Sequence, residues 1–206
     1  MVAIIDYGVG NLFSLCSSFA AIGEEAEVTS DPEAIRKADR VILPGVGAFG
    51  DAAEKLRRTG LDRVVREEAG HGKPLLGICL GMQLLFDRSY EYGEHEGLGL
   101  LRGEIRPIAE KIPENLKIPQ MGWNALHIVR ESPLLKYSKD GDYVYFVHSY
   151  SAVKCEDSLL ASTDYGAELT ACAGHGNVSG CQFHPEKSGD VGLRILKAFC
   201  ETEAVV

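Results

Sequence analysis

The sequence lacks an excess of basic charge: 21 Lys and Arg stand against 30 Asp and Glu, a net charge of −9 in 206 residues. That balance argues against nucleic acid or an anionic membrane surface as a partner. It also lacks a long hydrophobic run. The longest apolar tract, Pro74 to Phe86, contains Gln83 and falls short of the roughly 20 residues that a membrane span needs. The opening MVAIIDYGVG carries no basic region before its apolar stretch, and Asp6 interrupts that stretch before the core length of a signal peptide is reached. A cytoplasmic chain is expected. Cysteine is neither dense nor closely paired: Cys16, Cys79, Cys155, Cys172, Cys181 and Cys200 are scattered, which argues against a disulfide scaffold or a zinc site. His175, Cys181 and His184 are near neighbours without ligand spacing, so no metal and no cofactor is expected. Nothing reads as a linker, a repeat or a low-complexity segment, and one domain over residues 1–206 is expected.

What is present is globular composition, 45% hydrophobic and 25% charged, with enough apolar surface to offset the entropy of ordering. The first hundred residues alternate short apolar runs with helical patterns. Val2 to Asp6 reads as a strand, followed by Leu12, Leu15, Cys16 and Phe19 at helical spacing before Gly23. Ala26 to Thr29 reads as a second strand, and Ser30-Asp31-Pro32 then starts a helix that runs to about Ala38. Arg40 to Leu43 is a third strand, ending in the glycine-punctuated loop Pro44 to Gly50; helical segments lie between Asp51 and Ala69, and Pro74 to Ile78 is the fourth strand. Repeated βα alternation implies a parallel sheet covered by helices on both faces, with ligands at the carboxyl ends of its strands. After about Gly97, Gln120 to Val129, Tyr143 to Val153, Leu159 to Thr163 and Val178 to Phe183 follow without long helices and are expected to extend the sheet antiparallel. A last helix between Gly189 and Glu201 docks back on it. The predicted fold is α/β, a three-layer sandwich with a central mixed, mostly parallel sheet flanked by helices.

Gly77 to Gln83 reads GICLGMQ and joins a strongly apolar strand to a helix expected to run through Phe86. Gly77-Ile78-Cys79-Leu80-Gly81 has the pattern of a nucleophile elbow with Cys in place of Ser. Glycines two residues either side relieve crowding in the sharp turn and leave the sulfur exposed above the sheet. The helix start and a neighbouring imidazolium would both favour a thiolate there. The second motif is Gln182 to Ser188, QFHPEKS. Extended geometry would place His184 and Glu186 on one side, with Pro185 holding His184 away from helical dihedrals, so that Glu186 fixes the imidazole tautomer. Taken singly, Cys79 has the alternative of a buried structural thiol, and His184 that of an ordinary core or surface residue. Together the two motifs complete Cys-His-Glu.

A thiolate attacking a carbonyl needs donors for the oxyanion. The amide of Leu80 is the first, and Val46 or Gly47 in the Pro44 to Gly50 loop could supply the second, the alternative being a plain glycine-rich turn. Gly8-Val9-Gly10 is no dinucleotide fingerprint, because Phe13 occupies the third glycine position; Gly70-His71-Gly72-Lys73 is no phosphate loop, because Pro74 replaces Ser or Thr and a strand follows.

GICLGMQ and QFHPEKS together resemble the triad motifs of the class I glutamine amidotransferases. IIDYGVGNL (Ile4 to Leu12), LPGVGAFGDA (Leu43 to Ala52), PQMGWN (Pro119 to Asn124) and YFVHSY (Tyr145 to Tyr150) narrow the likeness. They point to the branch whose glutaminase subunit feeds ammonia to a (β/α)₈ barrel cyclase subunit in histidine biosynthesis, the products being imidazole glycerol phosphate and aminoimidazole carboxamide ribotide. The resemblance implies hydrolysis of glutamine through a thioester on Cys79, with His184 moving the proton and Glu186 orienting it. It further implies that Gln83, Glu91 and the stretch His148-Ser149-Tyr150 hold the α-amino and α-carboxylate groups of glutamine. For Glu91 a solvated loop, Tyr90 to Glu96, is the alternative. Asn11, Trp123 and Lys187 are expected at the partner interface; for Trp123 a place in the core, and for Lys187 an ordinary solvated lysine, remain open. A glutaminase of vitamin B6 or purine synthesis, a free-standing cysteine hydrolase and a noncatalytic binding module are the rival readings.

Overall fold

The computed structural model describes residues 1–204. The first half is built of the expected βα units: β1 (Val2–Ile5), α1 (Leu12–Ala21), β2 (Ala26–Thr29), α2 (Pro32–Lys37), β3 (Arg40–Leu43), α3 (Phe49–Thr59), α4 (Leu61–Gly70), β4 (Leu75–Ile78) and α5 (Leu80–Leu84). The start of α2 follows from its sequence. Asp31 Oδ1 accepts a hydrogen bond from the Glu33 amide at 3.0 Å, and Pro32 stands where a missing N–H costs nothing. Gly60, at φ +73°, separates α3 from α4 in the left-handed conformation that glycine adopts at little cost.

The second half comprises β5 (Phe86–Ser89), β6 (His95–Glu96), β7 (Leu101–Pro107), β8 (Gln120–Ala125), β9 (His127–Ile128), β10 (Tyr143–His148), β11 (Tyr150–Val153), β12 (Leu159–Asp164), β13 (Glu168–His175), β14 (Val178–Cys181) and α6 (Gly189–Cys200). The central sheet has eight strands in the order β2-β1-β3-β4-β14-β13-β12-β9. From β2 to β14 the pairing is parallel, and beyond β14 it is antiparallel. The sheet is therefore mixed and mostly parallel among its first strands, as the sequence predicts.

The period-two alternation of its strands divides the core into two layers. Ala3, Ile5, Val41 and Leu43 pack with Ile35, Phe49, Leu56 and Val64 of α2, α3 and α4. Val2, Ile4, Ile42 and Ile78 pack on the other side with Leu15 and Phe19 of α1 and Ile195 and Phe199 of α6.

Two expectations are corrected. The helix after Cys79 ends at Leu84 rather than continuing through Phe86, because Phe86 opens β5 and pairs with Leu101. The segments Gln120 to Val129 and Tyr143 to Val153 do not simply extend the sheet. β8 and β10 form a separate antiparallel pair, with Trp123 opposite Tyr145 and Gln120 opposite His148, while β11 joins a four-stranded sheet in the order β11-β7-β5-β6. The alternative of a simply solvated loop from Tyr90 to Glu96 is disfavoured, because the loop buries Glu91 and ends in β6.

Candidate active site

Three parallel strands end on one edge of the sheet and deliver the two motifs and the glycine loop there. β4 leads into Cys79, β3 into Pro44 to Gly50, and β14 into Gln182 to Ser188. Cys79 has φ +54° and ψ −111°, a strained conformation for a residue with a side chain, and α5 begins at the next residue. Its glycine neighbours are sterically required. A Cβ on Gly81 would lie 1.8 Å from the carbonyl oxygen of Leu43, and one on Gly77 would lie 2.7 Å from the backbone of Gly81 and Met82. A Cβ on Gly45 would meet the Gly81 amide nitrogen at 2.9 Å, so the glycine loop lies directly against the elbow. Gly47, at φ +95°, turns that loop.

His184 follows β14 in extended conformation, and its amide donates to the carbonyl of Tyr145 at 2.9 Å. Its Nδ1 lies 2.9 Å from Glu186 Oε1. The expected strand alternation is not how this pair forms: residues Pro185–Lys187 make a turn of 3₁₀ helix that folds Glu186 back onto the ring. Proline at the first position of that turn removes an amide that would have had no partner there. The side chains of both residues are almost fully buried. Burial pulls the His184 pKa down, but hydrogen bonds to Cys79 and Glu186, with the negative charge of both, outweigh it and raise the pKa to about 9. Glu186 Oε2 is buried without a hydrogen-bond partner among the described residues.

Cys79 and His184 share a cleft of about 300 Å³, which Val46, Gly47, Leu80, Gln83, Glu91, His148, Ser149 and Tyr150 also line. All of the residues that the sequence assigned to substrate or oxyanion binding thus border one space, at the lower end of the volume range of small-ligand pockets. Gln83 uses its side-chain nitrogen on Tyr150 O at 3.1 Å and on Gln182 Oε1 at 3.0 Å, which leaves its carbonyl oxygen as the group it can offer a ligand. Glu91 Oε2 accepts from the Phe49 amide at 2.6 Å at the start of α3. Burial raises its pKa, against the lowering effects of that amide and of His95. His148 Nδ1 lies 2.8 Å from Tyr150 O, and Nε2 lies 2.8 Å from Gln120 Oε1. Desolvation lowers the His148 pKa to about 4, so the ring is neutral at ordinary pH.

Of the residues expected at a partner surface, Trp123 is 52% exposed and packs edge-on against Tyr145, with ring centroids 6.0 Å apart. Lys187 is exposed, its Nζ 5.8 Å from the centre of the same tyrosine ring. Asn11 is half-buried, and its amide donates to Glu186 Oε1 at 3.5 Å, so its observed contact is with the carboxylate itself. Sequence reasoning did not single out Tyr145 or Gln182. Gln182 is fully buried beside the sulfur, and the signal that could have found it was a polar residue inside an otherwise apolar strand. Among the described residues, no group of His, Cys, Asp and Glu could hold a metal, and no helix is long and apolar enough to cross a membrane.

The family model of class I glutamine amidotransferases matches residues 3–202. The chain is 53% identical over 203 residues to the imidazole glycerol phosphate synthase subunit HisH of Wolinella succinogenes, covering 98% of this chain and 99% of that one. It is 51% identical to the HisH subunit of Lactococcus lactis, with 97% and 98% covered. Among solved structures, a glutamine amidotransferase and PurLQS from Thermotoga maritima each superpose with a TM-score of 0.75 at 20% identity, over 97% of this chain and 100% and 96% of theirs. At that identity they support the fold alone. The chain belongs to the class I glutamine amidotransferase family and, within it, to the HisH subunits of imidazole glycerol phosphate synthase.

Proposed function

We propose that this chain hydrolyses glutamine to glutamate and ammonia in histidine biosynthesis, with Cys79 as nucleophile, His184 as acid and base, and Glu186 orienting the ring. The Cys79 sulfur attacks the side-chain amide carbon of glutamine, and the oxyanion forms against the Leu80 amide and an N–H of Val46 or Gly47. His184 gives its proton to the departing nitrogen, so ammonia leaves and a glutamyl thioester remains. Water then attacks the thioester with His184 taking its proton, and glutamate is released with the thiolate restored. Gln83 Oε1 and Glu91 suit the α-ammonium group, and the backbone of His148-Ser149-Tyr150 suits the α-carboxylate. The observation that carries this reading is the shared cleft, where a strained cysteine at a helix start meets an imidazole whose positive charge two neighbours favour. No cofactor is required.

Ammonia in neutral water is mostly ammonium, a poor nucleophile, so a glutaminase that feeds synthesis needs its acceptor enzyme beside it. The partner we propose is a (β/α)₈ barrel cyclase subunit forming a heterodimer on the face that carries Trp123, Tyr145 and Lys187. Its product would be imidazole glycerol phosphate, released with aminoimidazole carboxamide ribotide. A turn of the Pro44 to Gly47 backbone that completes the oxyanion hole only when the liganded partner is bound would prevent idle loss of glutamine. Glutamate release by the unsubstituted chain and by C79A, each with and without the liganded cyclase, tests the whole proposal. Activity is expected only with Cys79 and is expected to rise with the liganded partner. Full activity in C79A would overturn the chemistry, and equal turnover with and without the partner would overturn the coupling.

A further inference from the structure

We infer that Gln182 is a further catalytic residue: its side-chain amide donates a hydrogen bond to the sulfur of Cys79 and thereby favours the thiolate. The inference rests on the reading of Cys79 as the nucleophile. Gln182 follows β14, is fully buried, and is fixed at its backbone by the hydrogen bond its N–H donates to Ala171 O at 2.8 Å. Its Nε2 lies 3.7 Å from Cys79 Sγ.

The two ends of an amide side chain are told apart by their partners, and here one backbone carbonyl decides the orientation. Tyr150 O can only accept, and the Gln83 side-chain amide lies 3.1 Å from it. Gln83 therefore turns its nitrogen toward Tyr150, and the second hydrogen of that nitrogen points at Gln182 Oε1, 3.0 Å away. With its oxygen so engaged, Gln182 turns its nitrogen to the sulfur. Rotating Gln182 alone would set two NH₂ groups against each other and an oxygen against the sulfur. Rotating both amides would set Gln83 Oε1 against Tyr150 O. Each alternative buries like groups together and leaves them unsatisfied.

The sulfur consequently has a donor placed for its anionic form in Gln182 Nε2, and the imidazolium of His184, in the same cleft, favours the same charge. Val147 O, 4.0 Å away, is an acceptor for the neutral thiol. A donor aimed at a buried sulfur stabilises the charged state over the neutral one, as any hydrogen bond to an ionised form does.

The test is the rate at which iodoacetamide alkylates Cys79 in the full chain, followed peptide by peptide by mass spectrometry at pH 7 and pH 10. The variants are Q182E, which keeps the shape and reverses the polarity, and Q182M, which removes the donor. Both are expected to slow alkylation about tenfold at pH 7, where the thiolate fraction decides the rate, and to leave it within about twofold at pH 10. In the same variants kcat for glutamine is expected to fall at pH 7. A folded variant that reacts at the unsubstituted rate at pH 7 overturns the inference. The unsubstituted chain supplies a second readout that needs no variant to fold: the side-chain amide resonance of Gln182 is expected to move as Cys79 titrates, and a resonance unmoved over that range also overturns it. If C79A loses glutamate release while both Gln182 variants match the unsubstituted chain, only the role of Gln182 is lost. If C79A stays active, the hydrolysis reading falls instead.

Discussion

His184 has two neighbours that favour its cation, and its behaviour with pH follows from them. Burial opposes the charge, but hydrogen bonding to Cys79 and Glu186 brings the pKa to about 9, above the ordinary 6.5. A group whose folded pKa is raised stabilises the fold fully below the unfolded value and loses that contribution as pH rises through the folded one. The difference in melting temperature between the unsubstituted chain and H184N is therefore expected to be largest at and below pH 6.5 and to shrink as pH passes 9. A difference that grows over that range would contradict the assignment. Glu186 acts on the same ring from its other side, through Oε1 at 2.9 Å. E186Q keeps the shape but loses the charge that holds the tautomer, and kcat is expected to fall about 10²–10⁴-fold by analogy with other triads. KM is expected to change little, because Glu186 does not line the cleft. At this scale the sequence was informative for Cys79, whose flanking glycines are a local signature. It was silent on Gln182, because the partners of a polar residue in a buried strand lie on other elements.

Elements, rather than residues, set the separation of these groups. The elbow is seated by Gly81, where a Cβ would strike Leu43 O at 1.8 Å, and α6 is seated by Gly192, where a Cβ would strike Pro185 O at the same distance. G192A therefore pushes α6 away from the turn that carries Glu186. It is expected to lower both kcat and stability, which parallel kinetic assays and thermal melts would show. G81A strikes backbone on a neighbouring strand and is expected to cost several kcal/mol, in the range of about 1–3 or more for overpacking. Gly176 is a useful control: it has φ +58° but nothing within 4 Å of an added Cβ, so G176A meets only the backbone strain of about 1–2 kcal/mol. The boundaries of α2 and β3 could be read from Asp31-Pro32 and from RVIL because turn chemistry bounds them. The end of α5 could not. Leu84 to Phe86 is continuously apolar, and only the pairing of Phe86 with Leu101 makes it a strand. For β8 and β10 the strand character was legible, whereas their isolation from the central sheet depends on which strand lies opposite, and alternation does not encode that.

At the scale of the whole molecule the two apolar layers leave some large side chains outside. Trp123 is 52% exposed and Met121 63% exposed, both on β8, and β10 beside them carries Tyr145 under Lys187. A tryptophan held edge-on by a tyrosine has its rotamer already restricted, so covering it with a partner sacrifices little side-chain entropy while removing a large apolar surface from water. Such residues dominate binding energy at interfaces, where truncation costs about 2 kcal/mol or more. W123A is thus expected to weaken binding of the proposed cyclase about 30-fold or more, measured by calorimetry or sedimentation. The core gains little from a side chain half in water, so the melting temperature of the isolated chain is expected to stay within about 2 °C. Because β8 and β10 also carry Gln120 and His148, which lie 2.8 Å apart, with His148 reaching Tyr150 O at the cleft, the same variant separates two roles for this face. Weaker binding with unchanged turnover at saturating partner identifies a docking surface alone, whereas reduced turnover at saturation shows that the strand pair also carries the partner's effect to the cleft.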